Sequence, residues 1–317
     1  MADTQQPRLV GDIGGTHSRL ALFDPSRGEL RALRTFTNRE HDGLEGILGT
    51  WLQHLDGPSP PICCLAVAAP PFADRVSMLN IDWSFSIQGL ADRFGFERVR
   101  CINDFESNAY ALPHLGKDDL VLLRPGESSR GKLATVGPGT GLGGATLDYC
   151  GDTPVACASE PGHMGIAPAS ALELELFGRL LDRYGQVYAE LVLSGPGLQH
   201  LYRALAEVHG EAAPPLSSPD ISRAALSGES SLCRQTLETF CGLLGSACGD
   251  YVLATGSYGG LYLAGGIAPR ILPLLRLGAF TDRFTAKGNM AQQLGRVPLY
   301  AVTSATMGLV GAAHAPL

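Results

Sequence analysis

The sequence has 317 residues, of which 45% are hydrophobic and 17% are charged, so it is long enough for roughly two domains with cores of their own. This composition excludes an intrinsically disordered chain. The net charge of −7, without a run of Lys or Arg, argues against nucleic acid as a partner, and no apolar run reaches the ~18 residues of a membrane span.

Two further features of the sequence bear on the location of the protein. The eight cysteines contain no CxxC pair and lie mostly in apolar segments, which predicts buried thiols rather than disulfides or a zinc site. The first ten residues show no basic stretch followed by an apolar one, which is the pattern of a secretory signal. We therefore expect a cytoplasmic protein that has no membrane partner.

The first predicted elements, in LVGDIGGTHSRLALFD, are two strands joined by a glycine turn. Gly14 and Gly15 are predicted to supply the positive φ of a hairpin. Without Cβ atoms, Gly11, Gly14 and Gly15 let backbone N–H groups approach an anion, and Thr16 adds a hydroxyl. Asp12 is a carboxylate in an apolar strand, which points to a Mg²⁺ ion between it and a phosphate. The alternative is a plain hairpin with Asp12 at the turn.

The next elements are predicted to build an α/β domain with a mixed sheet. They are a strand at 31–36, an amphipathic helix whose apolar positions run from 44 to 55, a buried strand in PICCLAV, and a helix at 87–94. Asn80 lies in a turn, where a capping role is favoured over a ligand contact.

The segment RVRCINDFESNAYAL predicts a strand that ends at Asn103-Asp104 and a helix that follows directly. The carboxyl end of a strand in an open α/β sheet faces the ligand crevice. Asp104 is therefore a candidate catalytic carboxylate, with Asn103 positioning a substrate beside it. The alternative is that Asp104 only caps the helix.

The second half of the sequence, after a break at 113–116, repeats the glycine hairpin. KLATVGPGTGLGGATLDY again predicts strand, glycine turn and strand, with Gly-x-Gly-Thr ending at Thr140. Two matched hairpins indicate a duplicated domain with a phosphate loop in each half, since neither has a Walker or Rossmann context.

Three polar residues of the second half follow no periodic pattern. Glu160 and His163 lie in a predicted loop, and Glu190 precedes a strand-like LVL, after which a helix starts at Ser194. Each residue alone is typical of a surface or capping position, whereas together they suit a polyhydroxylated ligand, whose hydroxyls donate to carboxylates.

The last third predicts a buried helix over 232–253, and then strand, Gly265-Gly266 and helix in LYLAGGIAPRIL. Paired glycines at a strand-to-helix turn allow a flat base or a phosphate to approach the backbone. A final strand precedes a short apolar helix at 305–313, which is expected to pack on the first domain.

Six segments in order resemble bacterial ATP-dependent glucokinases of the sugar-kinase, actin-like ATPase superfamily. They are GDIGGT (11–16), INDF (102–105), GPGTGLG (137–143), EPGH (160–163), LSGPGL (193–198) and LAGGI (263–267). The resemblance spans nearly the whole chain. It does not extend to the repressor/kinase branch, whose Cys-rich zinc motif is missing between His163 and Cys233.

The resemblance implies an α/β fold of two ribonuclease H-like (actin-like ATPase) domains, each a mixed sheet flanked by helices, with a cleft between them. It also implies a homodimer. We expect a small domain of residues 1–113 plus 303–317 and a large domain of residues 114–302.

The resemblance further implies phosphorylation of D-glucose to glucose 6-phosphate, with ATP and Mg²⁺ as cofactors and Asp104 as general base. Glucose would be bound by Asn103, Asp104, Glu160, His163 and Glu190. The phosphates would be held by Gly11, Asp12, Ile13, Gly14, Gly15, Thr16, Gly137, Gly139, Thr140 and Gly141, and Gly265 and Gly266 would lie near the adenosine. Asp12 would hold Mg²⁺, directly or through water.

Two alternatives stay open at this point. One is a kinase for another hexose, such as mannose, fructose or an amino sugar, because Pro161 replaces the family's Gly and stiffens the sugar loop. His17 and Pro138 are further departures from the family pattern. The other alternative is a non-catalytic sugar-sensing regulator, which the intact Asp104 disfavours.

Overall fold

The computed structural model of the chain describes residues 6–69, 73–78, 80–127 and 131–317. Residues 1–5, which belong to the segment considered for a secretory signal, lie outside the described residues. The chain forms two units, one of Met1–Leu115, Tyr149–Ala158 and Ala305–Leu317 and one of Gly116–Asp148 and Ser159–Ser304. Residues 149–158, which the sequence-based limits place in the large domain, are grouped here with the first unit.

The first unit is built on a mixed five-stranded sheet. The strands up to Leu115 are β1 (Arg8–Ile13), β2 (His17–Asp24), β3 (Glu29–Thr37), β4 (Ile62–Val67), β5 (Arg75–Ser77), β6 (Ser84–Ser86) and β7 (Arg98–Asn103). The helices are α1 (Leu44–Gln53), α2 (Ile87–Phe94), α3 (Asp104–Ala111) and, from the end of the chain, α12 (Met307–His314). The sheet order is β3-β2-β1-β4-β7, in which β1, β4 and β7 are parallel, and β5 pairs separately with β6.

A mixed six-stranded sheet and most of the helices lie in the second unit, except that most of β11 and the end of β10 are among the residues grouped with the first unit. The sheet comprises β8 (Leu120–Arg124), β9 (Leu133–Pro138), β10 (Leu142–Cys150), β11 (Thr153–Ser159), β12 (Gly260–Leu263) and β13 (Leu299–Val302), in the order β11-β10-β9-β12-β13-β8. The helices are α4 (Ala171–Tyr184), α5 (Ala189–Val192), α6 (Gly195–His209), α7 (Ser218–Ser227), α8 (Ser231–Thr255), α9 (Leu272–Leu275), α10 (Ala279–Thr285) and α11 (Ala291–Gly295).

The two sheets share one plan, which confirms the predicted duplication. In each, an antiparallel glycine hairpin (β1–β2 or β9–β10) lies beside two parallel strands (β4 and β7, or β12 and β13). The hydrophobic core of each unit lies against its own sheet. Helices α1, α2, α3 and α8 form where they were predicted. Helix α1 follows its predicted apolar pattern, since it buries Leu44, Ile47, Leu48 and Trp51.

The apolar helix predicted near the end of the chain is also confirmed. It forms α12, which belongs to the first unit. The Ser107 hydroxyl of α3 donates to the Gly308 carbonyl at 2.7 Å, and a Cβ on Gly311 would lie 1.7 Å from the Ser107 carbonyl oxygen. The two helices are therefore packed at backbone distance, which only a glycine at 311 allows.

Four local predictions are wrong. The LVL after Glu190 lies in helix α5, because a short apolar run fits a strand or a helix equally well. Gly265-Gly266 is followed by turns, and α9 begins only at Leu272. Gly14 and Gly15 do not have a positive φ. Cys150 and Cys157 are exposed, because they lie on the outer hairpin β10–β11, while the other six cysteines are buried thiols.

Among the described residues, no helix combines the length and the apolar character that crossing a bilayer requires.

Candidate active site

The β1–β2 loop of the first unit borders an open cavity of about 640 Å³. The cavity is lined by Gly15, Thr16, His17, Thr37, Asn38, Arg39, His41, Ile81, Asp82 and Trp83. The loop is closed by a hydrogen bond from Gly14 N–H to the His17 carbonyl at 3.1 Å. A Cβ on Gly15 would lie 2.8 Å from the Asn80 Cβ, so Gly15 is required for close approach to Asn80 rather than for its φ.

Gly11 and Ile13 of the predicted phosphate loop face the core of the first unit. A Cβ on Gly11 would lie 2.6 Å from the Leu65 side chain and 2.9 Å from the Leu20 side chain. Ile13 is 1% exposed. Core packing therefore gives a second reason for a glycine at position 11, beside the phosphate role predicted from the sequence.

Asp12 lies on β1 beside a cation. Its Oδ2 is 3.2 Å from Arg19 Nη1 on the paired strand β2. Burial raises the pKa of the Asp12 carboxyl, and the charge and hydrogen bond of Arg19 act in the opposite direction. A Cβ on Gly308 would lie 2.9 Å from Asp12 Cγ, which places the first turn of α12 against this carboxylate. Within the described part of the chain, no group of three His, Cys, Asp or Glu side chains is arranged to hold a metal ion.

Asn103 and Asp104 lie where β7 ends and α3 begins. Asn103 is the N-cap of α3, because its Oδ1 accepts from the N–H groups of Phe105 at 2.9 Å and Glu106 at 3.2 Å. This cap leaves the Asn103 Nδ2 to donate elsewhere. Asp104 is the first residue of the helix, and its Oδ1 lies 2.9 Å from Phe105 N. Asn103 therefore provides most of the capping that was considered for Asp104. The Asp104 carboxylate is half-buried and lies at the end of β7.

The β9–β10 hairpin of the second unit is closed by glycines. Gly139 N–H donates to the Gly141 carbonyl at 2.8 Å, and the Gly139 carbonyl accepts from Gly195 N–H at 2.8 Å. Gly265 has φ +78°, and a Cβ there would lie 2.5 Å from the Pro138 carbonyl oxygen. The structure therefore brings together two segments that the sequence assigned to the nucleotide, the 137–141 loop and the Gly265 turn. Gly266 faces open space.

Glu190 is the residue that joins the hairpin of the second unit to the predicted sugar loop. Its Oε2 accepts from Leu142 N–H at 2.8 Å. A Cβ on Gly141 would lie 2.4 Å from that oxygen, and one on Gly162 would lie 3.1 Å from it. The Glu190 carbonyl accepts from the Ser194 hydroxyl at 2.8 Å. This carboxylate is consequently held between two glycines, one from each loop.

The sugar loop itself is a single turn of 3-10 helix, Pro161–His163. His163 N–H donates to the Glu160 carbonyl at 3.1 Å, and the His163 ring lies 5.7 Å from the Tyr188 ring. Pro161 is buried, and a Cβ on Gly144 would lie 2.7 Å from its Cγ. The family departure at Pro161 thus packs against β10. Both Glu160 and His163 are exposed.

Asn38 and Arg19 were not predicted from the sequence to belong to the site, Ser194 was predicted only as the start of a helix, and Asn80 was predicted as a capping residue. Each contacts a predicted site segment: Arg19 pairs with Asp12, Ser194 with Glu190, Asn80 with Gly15 and Asn38 with Gly14. Only Ser194, directly before Gly-Pro, carried a local signal.

Comparisons with known proteins agree with this architecture. The family model described as Glucokinase matches residues 9–316. The glucokinase of Saccharophagus degradans is 37% identical over 311 residues, 97% of either chain. The crystal structure of a glucokinase from an Antarctic psychrotroph has a TM-score of 0.90 at 38% identity and covers 98% of both chains. A ROK family glucokinase from Streptomyces griseus, solved with glucose and AMPPNP, shares the fold with a TM-score of 0.65 at 18% identity, covering 97% of this chain and 98% of that one.

The fold and its relatives define a kinase whose chain forms two α/β units, and the protein is therefore an enzyme of the kinase class. More narrowly, the chain belongs to the glucokinase family.

Proposed function

We propose that the protein transfers the γ-phosphoryl group of Mg-ATP to the primary hydroxyl of D-glucose and releases glucose 6-phosphate. The observation that carries this proposal is the glucokinase-family match over residues 9–316. The position of Asp104 at the carboxyl end of a parallel strand supports it, because ligands of α/β sheets bind at such ends.

In this proposal Asp104 is the general base. Its carboxylate accepts the proton of the attacking hydroxyl as the new P–O bond forms. Since phosphoryl transfer passes through a loose transition state, positioning and charge neutralisation supply most of the catalysis. Asn103, Glu160, His163 and Glu190 hydrogen-bond the other sugar hydroxyls. The bonds to Glu160 and Glu190 are charge-assisted and are worth about 1.5–3 kcal/mol each.

The nucleotide is assigned to the two glycine hairpins. Gly15 and Thr16 of the first unit, and Thr140 and Gly141 of the second, present backbone N–H and hydroxyl donors to its phosphates. Gly14, Gly137 and Gly139 shape the two loops, since the N–H groups of Gly14 and Gly139 are bonded within them. The residues present fit Mg²⁺ held through water, because Asp12 is a lone carboxylate already paired with Arg19 and Mg²⁺ keeps several waters beside substrate phosphates. Bound Mg²⁺ would neutralise phosphate charge.

Replacement of Asp104 tests the catalytic assignment. We expect Asp104→Asn, which keeps an acceptor for Phe105 N–H, to lower kcat by at least about 10² while glucose still binds. A coupled assay gives kcat, and calorimetry gives the glucose affinity. Asp92→Asn on α2, an exposed carboxylate of the same unit, serves as the matched control. Turnover of the Asp104 variant within a few-fold of the parent would show that Asp104 is not the base.

The choice of sugar is tested separately, by a panel of glucose, mannose, fructose and amino sugars at one ATP concentration. We expect the highest kcat/KM with glucose, because a sugar that lacks a matching hydroxyl leaves buried polar groups unpaired. The family membership argues against the non-catalytic regulator. Location in the cytoplasm and assembly as a homodimer stay predictions, the latter testable by light scattering.

A further inference from the structure

Asn38, which follows β3, is tied to the β1–β2 loop by three hydrogen bonds. Its Nδ2 donates to the Gly14 carbonyl at 2.8 Å, and its backbone N–H donates to the Thr16 carbonyl at 2.9 Å. Its Oδ1 accepts from the Ser18 hydroxyl at 2.8 Å. The residue is 1% exposed. A buried amide whose donor and acceptor are both used in this way fixes the atoms that it contacts.

The orientation of this amide follows from chemistry. The Gly14 carbonyl can only accept a hydrogen bond, so the NH₂ group of Asn38 must face it. The hydroxyl of Ser18 can donate, so it pairs with the remaining carbonyl oxygen. No other standard side chain of this size offers a donor and an acceptor in these two directions at once.

The two carbonyls held by Asn38 also determine where their peptide N–H groups point. In a planar trans peptide, the C=O of one residue and the N–H of the next are directed to opposite sides. With the Gly14 carbonyl bound to Asn38, the Gly15 N–H is therefore directed away from Asn38. The Thr16 carbonyl, by contrast, accepts from the backbone N–H of Asn38 in the pairing of β2 with β3, so the His17 N–H is directed towards β1 within the sheet.

We propose that Asn38 is a positioning residue for nucleotide binding, which aims the Gly15 N–H group of the β1–β2 loop at a phosphate. The inference rests on the proposed assignment of this loop to ATP. It adds a residue from outside the glycine motif, one that touches the loop and not the phosphate.

Asn38→Asp is the sharpest test, because it preserves the shape of the side chain and replaces the donor at Gly14 by an acceptor. We expect the KM for ATP and the Kd of a non-hydrolysable ATP analogue to rise at least about tenfold, the equivalent of one lost, well-aimed hydrogen bond, while the KM for glucose changes by less than about threefold. Calorimetry measures the analogue, and a coupled assay measures both KM values.

Trp51→Phe is the matched control, since it removes a hydrogen bond from Trp51 Nε1 to the Ala32 carbonyl in the same unit but outside the loop. It should lower Tm and leave both KM values unchanged. If Asn38→Asp does not fold, Ser18→Ala, which frees only the Oδ1 side, should still shift the analogue Kd in the same direction.

Equal changes of both KM values, or an unchanged analogue Kd in a folded variant, would overturn the inference. If the parent enzyme does not phosphorylate glucose, and Asn38→Asp nevertheless lowers its affinity for the ATP analogue, then the proposed function is refuted and the role of Asn38 is not.

Discussion

Glu190 illustrates how much of this site depends on single residues of the second unit. Its carboxylate is hydrogen-bonded to the N–H that follows Gly141 and is flanked by Gly162 of the sugar loop. The proposed sugar ligand and the proposed phosphate hairpin therefore share one atom, Glu190 Oε2. A displacement of the hairpin therefore also displaces the carboxylate that is proposed to bind the sugar.

This arrangement predicts that Gly141→Ala impairs glucose binding although position 141 is assigned to the nucleotide. The new Cβ would lie 2.4 Å from Glu190 Oε2, so the carboxylate has to move. We expect the KM for glucose to rise about tenfold or more, since small displacements of binding groups are costly. Steady-state kinetics with each substrate varied in turn give the comparison.

Gly178→Ala on α4 is the control for that experiment, because a Cβ there meets no atom within 4 Å. It should leave the KM for glucose as it is. An unchanged KM for glucose in Gly141→Ala would mean that Glu190 does not bind the sugar in the position found here.

At the residue scale, the sequence allowed the prediction of residues with a local signal. An acid directly after a strand and glycines between two strands are such signals, and Asp104 and Gly139 were found through them. The contacts of Asn38 with Gly14 and of Glu190 with Leu142 join residues 24 and 48 positions apart. No local pattern encodes these contacts, because they depend on how the strands are ordered in the sheet.

At the scale of elements, the ends of a helix can be predicted where capping residues mark them. Helices α2, α4, α6, α7 and α8 each begin after a serine whose side chain accepts from the first turn, and each ends at a glycine in the left-handed conformation. Such ends are readable from the sequence. The four-residue helices α5 and α9 have no side-chain cap, and the first was predicted as strand and the second was placed too early.

The ion pair between α4 and α10 gives a prediction at this scale. Arg283 contacts Glu173 through two hydrogen bonds, at 2.6 and 3.3 Å, and Glu173 is 5% exposed. Arg283→Met leaves a buried carboxylate without its cation, so we expect a loss of about 3–5 kcal/mol in the free energy of unfolding. Urea denaturation measures it.

Arg183→Met is the counterpart on the surface, because Arg183 and its partner Glu207 are 40% and 41% exposed. For Arg183→Met, the loss in the free energy of unfolding should stay below about 1 kcal/mol. Similar losses in the two variants would contradict the distinction between a buried and an exposed pair.

At the scale of the whole molecule, two units with one sheet plan were foreseen from the paired glycine hairpins, whereas the grouping of residues 149–158 with the first unit was not. Strand β11 contains Val155, Ala156 and Cys157 but buries none of its residues. Because residues 149–158 belong to neither core, the hydrophobic pattern of the sequence does not assign this segment to either unit.

The stability of the molecule should depend on pH through two stacked histidines of the first unit. The rings of His114 and His314 lie 3.4 Å apart at 7°. Burial, His114 and Arg8 lower the pKa of His314 to about 4, and burial lowers the pKa of His114. Because an unfolded histidine has a pKa of about 6.5, the unfolded state binds more protons between these values. Stability is therefore complete above about pH 6.5 and falls towards pH 4.

Thermal unfolding of the parent and of His314→Phe from pH 4 to 8 tests this expectation. The variant should lose much of the dependence of Tm on pH below 6.5, whereas His54→Gln on the surface after α1 should keep it. Parallel curves for the parent and His314→Phe would rule out the stacked pair as the source.

The return of α12 to the first unit has a consequence for synthesis of the protein. The helix that packs on α3, and the carbonyl of Ala315 that Arg8 contacts, are separated from their unit by the entire second unit. Strand β13, an interior strand of the six-stranded sheet, comes directly before α12 in the chain, so each unit receives its last element only late in translation. Until then the first unit lacks the helix that packs on α3.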